Sequence, residues 1–426
     1  MSGRAFALAT GIRKCKDLST MNQIPFGFTP GDGQNFDLNS LGAMLQQIGA
    51  MMQQAEGEGE ENISWKTIHD SARNSISQKG DPSITENQKR SVRDAIELAQ
   101  VWLDEVTGFP ASNLNFGAWS KSEWLENTLP AWRPLIEPVA KGLAETMSSM
   151  STDMQGLVGS EEVPAEMQQM LQPMLSMAKK MAAVSTGMQI GQGLAELSTE
   201  MLGASDISLP LAPNNTPSLL PNYITQFAKD YELPVSEVMM MCAVREAALC
   251  RLYSAQPWVG KELVDTIARY AAGISVDRNR IREVMQNVDP SDPQSMQELM
   301  AAGVFEPATT EAQQKALNHL EYMLAVIEGW VSFTSELVIE HRLENAGRLI
   351  ETMNRRRASG GPAEKTFSNL VGLELRPRMI RDATVFWKYI HANRIESDSV
   401  WSHLDFLPDR DDLTNPALYV EKRTAE

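Results

Sequence analysis

Two apolar segments of this chain each hold a carboxylate that suits a functional site. Glu246 stands in the predicted helix 236–253, inside the run VMMMCAVREAALC, and Glu328 stands inside MLAVIEGWVSF. Burying a carboxylate without a partner is costly in free energy. An acid in such surroundings therefore needs a partner or a role, and we predict that the two acids belong to one site.

The spacing around Glu246 is typical of a zinc-binding helix in which both ligand positions are altered. A helix with His at i and i+4 and Glu after the first His binds zinc, and the Glu polarises the metal-bound water. The matching segment here reads REAAL, with Arg245 at the first His position and Leu249 at the second. Glu328, on a later helix, stands where a third ligand would lie.

Three segments together resemble the actinobacterial zincin-like metallopeptidase family: REAALCRLY in helix 236–255, IEGWV around Glu328, and RRRASGGPAEKTFSNLVGLELRPRMIRDA. The resemblance covers roughly residues 115–415. It implies a mainly helical α+β fold, with a zincin-like C-terminal region in which a small sheet packs on a helical body. By position, it makes Glu246 the general base and Glu328 the third metal ligand.

The altered motif argues against an ordinary zinc site. A catalytic zinc site uses about three protein ligands, whereas Arg245 stays protonated and Leu249 offers no ligand atom. No two of the five histidines are spaced i, i+3 or i, i+4: His69, His319, His341, His391 and His403. We therefore expect no cofactor, with zinc only if an atypical site combines Glu246, Glu328 and a distant His or Asp.

Arginines are the candidate partners of the two acids. Residues 355–381 hold seven Lys or Arg against two Glu, which indicates either a solvated basic loop or a pocket of guanidinium groups for carboxylates or anions. We expect arginine to neutralise both Glu246 and Glu328; the alternative is that Glu246 faces solvent. The candidate pocket contains Trp330, Arg355, Arg356, Arg357, Arg376, Arg378 and Arg381.

Composition restricts the class of protein. The net charge of −17 argues against general nucleic-acid binding, which needs a basic surface. The apolar runs are too short and too interrupted to span a bilayer, so no membrane partner is expected. Three cysteines are too few for a disulfide framework, which favours a cytoplasmic location.

Three regions are predicted along the chain: a weakly ordered segment 1–64 with the acidic piece EGEGEEN, a helical region 65–203, and the zincin-like region 204–426. Thr85 and Gln88 form a capping box that begins a helix. Further helices are predicted at about 234–255 and 311–340. The pieces ISLPL and PSLLP near 207–221 are predicted edge strands, and the tail from Trp401 is a predicted loop.

Methionines in the helical region recur every three or four residues, as in a coiled-coil seam: Met167, Met170, Met174, Met177 and Met181. This pattern predicts either the core of a helix bundle or an oligomer interface.

Three functions remain open at this level. The first is a non-catalytic relative of the peptidases that recognises a peptide, a protein or an anionic ligand near Glu246 and Glu328. The second is an active metal-dependent hydrolase with an atypical site. The third is a structural or assembly protein that uses the Met-rich helices.

Overall fold

A computed structural model describes residues 63–111, 115–158, 165–273, 310–358 and 379–424, with backbone alone for 143–158, 165–179, 182, 358 and 424. Within these residues the chain is mainly helical, with one two-stranded parallel sheet. The mainly helical α+β class expected from the sequence is confirmed. The predicted weakly ordered segment lies, apart from its last two residues, outside the described part of the chain.

The helix with the altered motif lies at the centre of the fold. This helix, Val235–Ala255, is apolar on every side, and most of its residues are buried. A helix without a polar face is stable only when neighbours cover it all round. Helices 86–103, 221–230, 257–272 and 311–339 surround it, and its bounds match the predicted 234–255.

The helix that carries Glu328 is the second buried element. It spans Glu311–Ile339 and begins at a capping box formed by Thr310 and Gln313. It is long and apolar enough to cross a membrane, but 83% of its most apolar window is buried inside the protein. Its burial is that of a core helix, packed against helices on several sides.

The remaining elements complete a helical body. We number the helices in chain order: α1 Trp65–Lys79, α2 Glu86–Leu103, α3 Lys121–Val158, α4 Ala165–Ser198, α5 Pro221–Asp230, α6 Val235–Ala255, α7 Pro257–Ala272, α8 Glu311–Ile339, α9 Ala346–Ala358, α10 Ile380–Ala392, α11 Ser397–Val400, α12 Arg410–Thr414 and α13 Pro416–Thr424. Helix α1 packs along α4, and α10 packs on α8. The capping box at Thr85 begins α2 as predicted.

The sheet is small and lies against α6. Strand β1, Gly117–Ala118, pairs in parallel with β2, Ser218–Leu219, and β2 contacts α6. Gly203 adds one antiparallel bridge to Leu219. The predicted strand in PSLLP is thus confirmed, whereas the predicted strand in ISLPL is wrong, because those residues form turns and bends.

Two further expectations are corrected or left open. The predicted loop after Trp401 is wrong in part, because it contains α12 and α13; α12 begins at Arg410, after Asp409, whose side chain accepts the backbone N–H of Asp412. Of the five methionines in the Met-rich seam, only Met181 has a described side chain, and it is exposed. The described residues belong to one compact unit, Glu58–Glu426, and the proposed boundary at residue 203 stays a prediction.

Candidate functional site

A small cavity lies against one face of α6. Four residues of α6 line it at helical spacing: Cys242, Arg245, Glu246 and Leu249. The rest of its wall comes from the segment 202–206 and from Met353 and Arg357 of α9. In a zinc-binding helix this face would carry the metal ligands, so the cavity occupies the expected metal position.

Arg245 forms a buried ion pair with Glu328 across this region. Its Nη2 lies 2.6 Å from Oε1 of Glu328, and each residue is 4% exposed. Burial lowers the pKa of Arg245 to about 10, so the guanidinium remains charged at neutral pH. The first ligand position of the motif therefore presents a cation to the carboxylate at the third ligand position.

Glu328 has further partners on both of its oxygens. Arg357 of α9 donates from Nη1 to Oε1, and Ser332, one turn along α8, donates to the same oxygen at 3.1 Å. Ser208 donates from Oγ to Oε2 at 2.6 Å. A carboxylate with this many donors has its charge and its lone pairs fully engaged.

Asp206 extends the pairing into the loop after α4. Its Oδ2 accepts Nη2 of Arg356 at 2.8 Å, and its Oδ1 lies 3.7 Å from Nη2 of Arg357. Burial alone would raise the pKa of Asp206, but the charges of the two arginines hold it below its usual range. The loop, α6, α8 and α9 are thereby joined by one chain of alternating charges.

Glu246 is stabilised differently, and here the sequence expectation is corrected. Its carboxyl accepts the backbone N–H of Ser205 at 3.1–3.2 Å, and no described arginine forms an ion pair with it. Burial raises its pKa to about 8, so protonation, rather than arginine, removes its charge at neutral pH. With 2% of its surface exposed, it does not face solvent either.

Gly203 allows this arrangement of Glu246. An added Cβ at position 203 would lie 2.6 Å from Oε2 of Glu246 and 3.2 Å from the carbonyl oxygen of Ser218. Real Cβ atoms do not approach other atoms so closely. The carboxyl and the sheet edge therefore come together only because residue 203 has no side chain.

The structure does not bring the other predicted site residues together at the cavity. Trp330 packs between Phe109 and Trp401, with ring centroids 5.8 Å and 6.2 Å away, and does not line the cavity. Arg355 pairs with Glu351 on the exposed side of α9. Arg381 is exposed at the start of α10, and Arg376 and Arg378 lie outside the described residues.

Sequence reasoning missed Asp206, Ser205 and Ser208. A signal for Asp206 was present, since it is the single charged residue in the apolar run GASDISLPL. The mark of Ser208 lies in its backbone. Its φ is 60°, and Tyr253 donates a hydrogen bond to its carbonyl oxygen. Non-glycine residues with positive φ persist where their surroundings hold them.

The donor set does not fit a zinc ion. Arg245 brings a positive charge, Leu249 brings no ligand atom, and Glu328 already accepts from two guanidinium groups. Over the described ranges, no three side chains of His, Cys, Asp or Glu are placed to hold a metal. Zinc ligation needs deprotonated nitrogen, oxygen or sulfur donors, which this geometry does not provide.

Comparison with known proteins gives one family and one fold relative. A family model described as zincin-like metallopeptidase matches residues 63–420. A crystal structure described as "a putative hydrolase with a novel fold" from Chloroflexus aurantiacus aligns with a TM-score of 0.59 and 16% identity, covering 85% of this chain and 99% of that one. At this identity the alignment shows a shared fold alone. No curated protein matches the sequence.

Proposed function

We propose that this chain, which belongs to the zincin-like metallopeptidase family, does not cleave peptides through a bound metal ion. Instead, its former catalytic cleft serves recognition of a peptide, a protein or an anionic ligand. The observation that carries this proposal is the ion pair between Arg245 and Glu328, whose atoms lie 2.6 Å apart.

The ion pair supports loss of metal chemistry for an electrostatic reason. A guanidinium at the first ligand position repels a divalent cation, and this repulsion is strong where solvent is excluded. The same guanidinium engages the carboxylate that a metal would need. A metal ion that took Glu328 away from Arg245 would therefore leave the guanidinium buried without its partner, which is costly.

The state of Glu246 supports the same conclusion. A general base must be ionised to accept a proton from water. Burial raises the pKa of Glu246 to about 8, so the protonated form dominates at pH 7. The residue at the general-base position is therefore mostly a neutral acid.

Recognition is the function that the remaining chemistry favours. The guanidinium groups of Arg245 and Arg357 line one cavity, and Arg356 pairs with Asp206 on the wall of that cavity. Guanidinium forks are well suited to binding carboxylates and other anions. This chemistry supports a ligand with an acceptor group, in keeping with a peptide, a protein or an anion.

Metal analysis and a peptidase assay on the purified protein test the loss of catalysis. We expect well below one zinc ion per chain and no cleavage of a denatured protein substrate, with or without added zinc. Stoichiometric zinc that disappears in Glu328→Gln, together with cleavage, would instead establish a metal-dependent hydrolase. Glu340→Gln, an exposed acid at the end of α8, is the matched control.

A binding assay tests the recognition half of the proposal. A panel of short peptides and small carboxylates is added to the wild type and to Arg245→Gln, and thermal stabilisation is measured. A ligand that binds the native site raises the melting temperature of the wild type and has a smaller effect on the variant. Equal effects on both proteins would place binding elsewhere and contradict recognition by this cleft.

A further inference from the structure

We propose that the cavity at the expected metal position binds one small monovalent anion, of the size of chloride, beside the guanidinium groups of Arg245 and Arg357. The inference deepens the proposed function by naming a class of ligand, and it rests on the proposal that no metal occupies this position. A position that would hold a dication in a zinc-binding helix would thus hold an anion here.

The size of the cavity sets the size of the ligand. The space enclosed by α6, the segment 202–206 and α9 has room for about one water-sized species. A single-atom ion or one water molecule fits, whereas sulfate or a sugar acid such as gluconate does not. The ligand must therefore be compact.

Arg245, which lines this space, has an unused donor. Its Nη2 donates to Glu328 and its Nη1 to Ser332, but its buried Nε has no acceptor among the residues that the structure describes. A buried N–H without a partner costs about 1–3 kcal/mol. An acceptor in the adjoining cavity would remove this cost.

The rest of the wall favours an acceptor that carries negative charge. Arg245, Arg356 and Arg357 bring three positive charges to this cluster, against two negative charges on Asp206 and Glu328, so one positive charge is left over. Glu246 is protonated at neutral pH, because burial raises its pKa to about 8, so it adds an O–H donor and no charge. The other titratable groups on this wall or near Glu246 are Cys242, Cys250 and Tyr253, whose pKa values are raised by burial, so they are neutral.

Chloride-35 NMR line broadening tests the inference directly, because a chloride ion held by a large protein broadens the resonance of exchanging bulk chloride. We expect excess broadening with the wild type at pH 7, reversal by bromide, and no reversal by gluconate at equal ionic strength. The broadening should be lost in Arg245→Gln and retained in Arg348→Gln, which removes an exposed guanidinium.

The pH dependence of the wild type gives a second readout that needs no variant. Ionisation of Glu246 adds a negative charge to the wall, so the broadening should disappear as the pH rises through about 8. If Arg245→Gln fails to fold, this titration and the bromide competition decide. Broadening that persists above pH 9, or equal reversal by gluconate, contradicts the inference.

The outcomes separate this inference from the proposed function. Absence of excess broadening in a metal-free wild type overturns the anion site, while the loss of metal chemistry stands. Stoichiometric zinc in the wild type overturns both.

Discussion

Glu246 and Glu328 are both buried beside the same arginine cluster, yet the free-energy cost of burying a carboxylate is avoided differently at each of them. Glu328 stays in an ion pair with Arg245, at 2.6 Å, whereas Glu246 accepts a peptide N–H from Ser205 and holds a proton. The two acids of the altered motif therefore respond differently to substitution and to pH.

Glu328→Gln tests the ion pair. The variant leaves Arg245 and Arg357 buried without their shared carboxylate, so we expect the free energy of unfolding to fall by about 3–5 kcal/mol. Urea denaturation measures this loss. The exposed Glu340→Gln should change stability by less than about 0.5 kcal/mol, and equal small effects of the two substitutions would contradict the buried pair.

Glu246→Gln tests the protonated state. The folded pKa of about 8 lies above the ordinary value of 4.5, so the folded protein binds more protons than the unfolded chain between these values. Stability of the wild type therefore falls as pH rises from about 4.5 to about 8. The amide imitates the neutral carboxyl, so the variant should lack this fall.

The measurement for Glu246→Gln is the difference in unfolding free energy between wild type and variant across pH 4 to 9. That difference should move in favour of the variant as pH rises and then level off above about pH 8. A difference that is constant over the whole range would show that Glu246 is ionised in the folded protein.

Gly203→Ala tests the close approach at the sheet edge. The new Cβ would lie 2.6 Å from Oε2 of Glu246, so we expect a loss of about 1–3 kcal/mol, as for other overpacked sites. Gly347→Ala is the matched control. Gly347 lies in α9, and an added Cβ there would meet no atom within 4 Å. It should stabilise slightly, by about 0.5–1 kcal/mol, and thermal unfolding measures both.

The double variant Arg245→His, Leu249→His tests whether zinc binding returns when both altered ligand positions carry histidine. Both positions line the cavity, and removal of Arg245 frees Glu328 from one of its two guanidinium partners, so that it can act as a third ligand. We expect the double variant to bind about one zinc ion per chain, measured by elemental analysis after dialysis. Adding Glu328→Gln should weaken this binding, and a folded double variant without zinc would contradict the assigned geometry.

Local patterns in the sequence predicted the elements that hold the site. Helices α6 and α8 were predicted to within one residue at each end, because their apolar runs are long. The short helices α12 and α13 were missed. Short helices carry little apolar periodicity, so their existence depends on packing against α10.

Pairing within the site depended on contacts that are distant in sequence. Arg355, Arg356 and Arg357 follow one another, but successive residues of a helix point about 100° apart. They consequently meet Glu351, Asp206 and Glu328 respectively. The amide that stabilises Glu246 belongs to a loop 41 residues earlier, and no local spacing predicts that contact.

Gly203 and Glu246 place a restriction on the order in which this protein can change during evolution. A side chain at position 203 collides with the carboxyl at position 246, so it becomes acceptable only after residue 246 has been replaced by a smaller one. Replacement of Glu246 can come first, whereas a side chain at position 203 cannot. Substitutions at the two positions therefore depend on each other, and only one order avoids the collision.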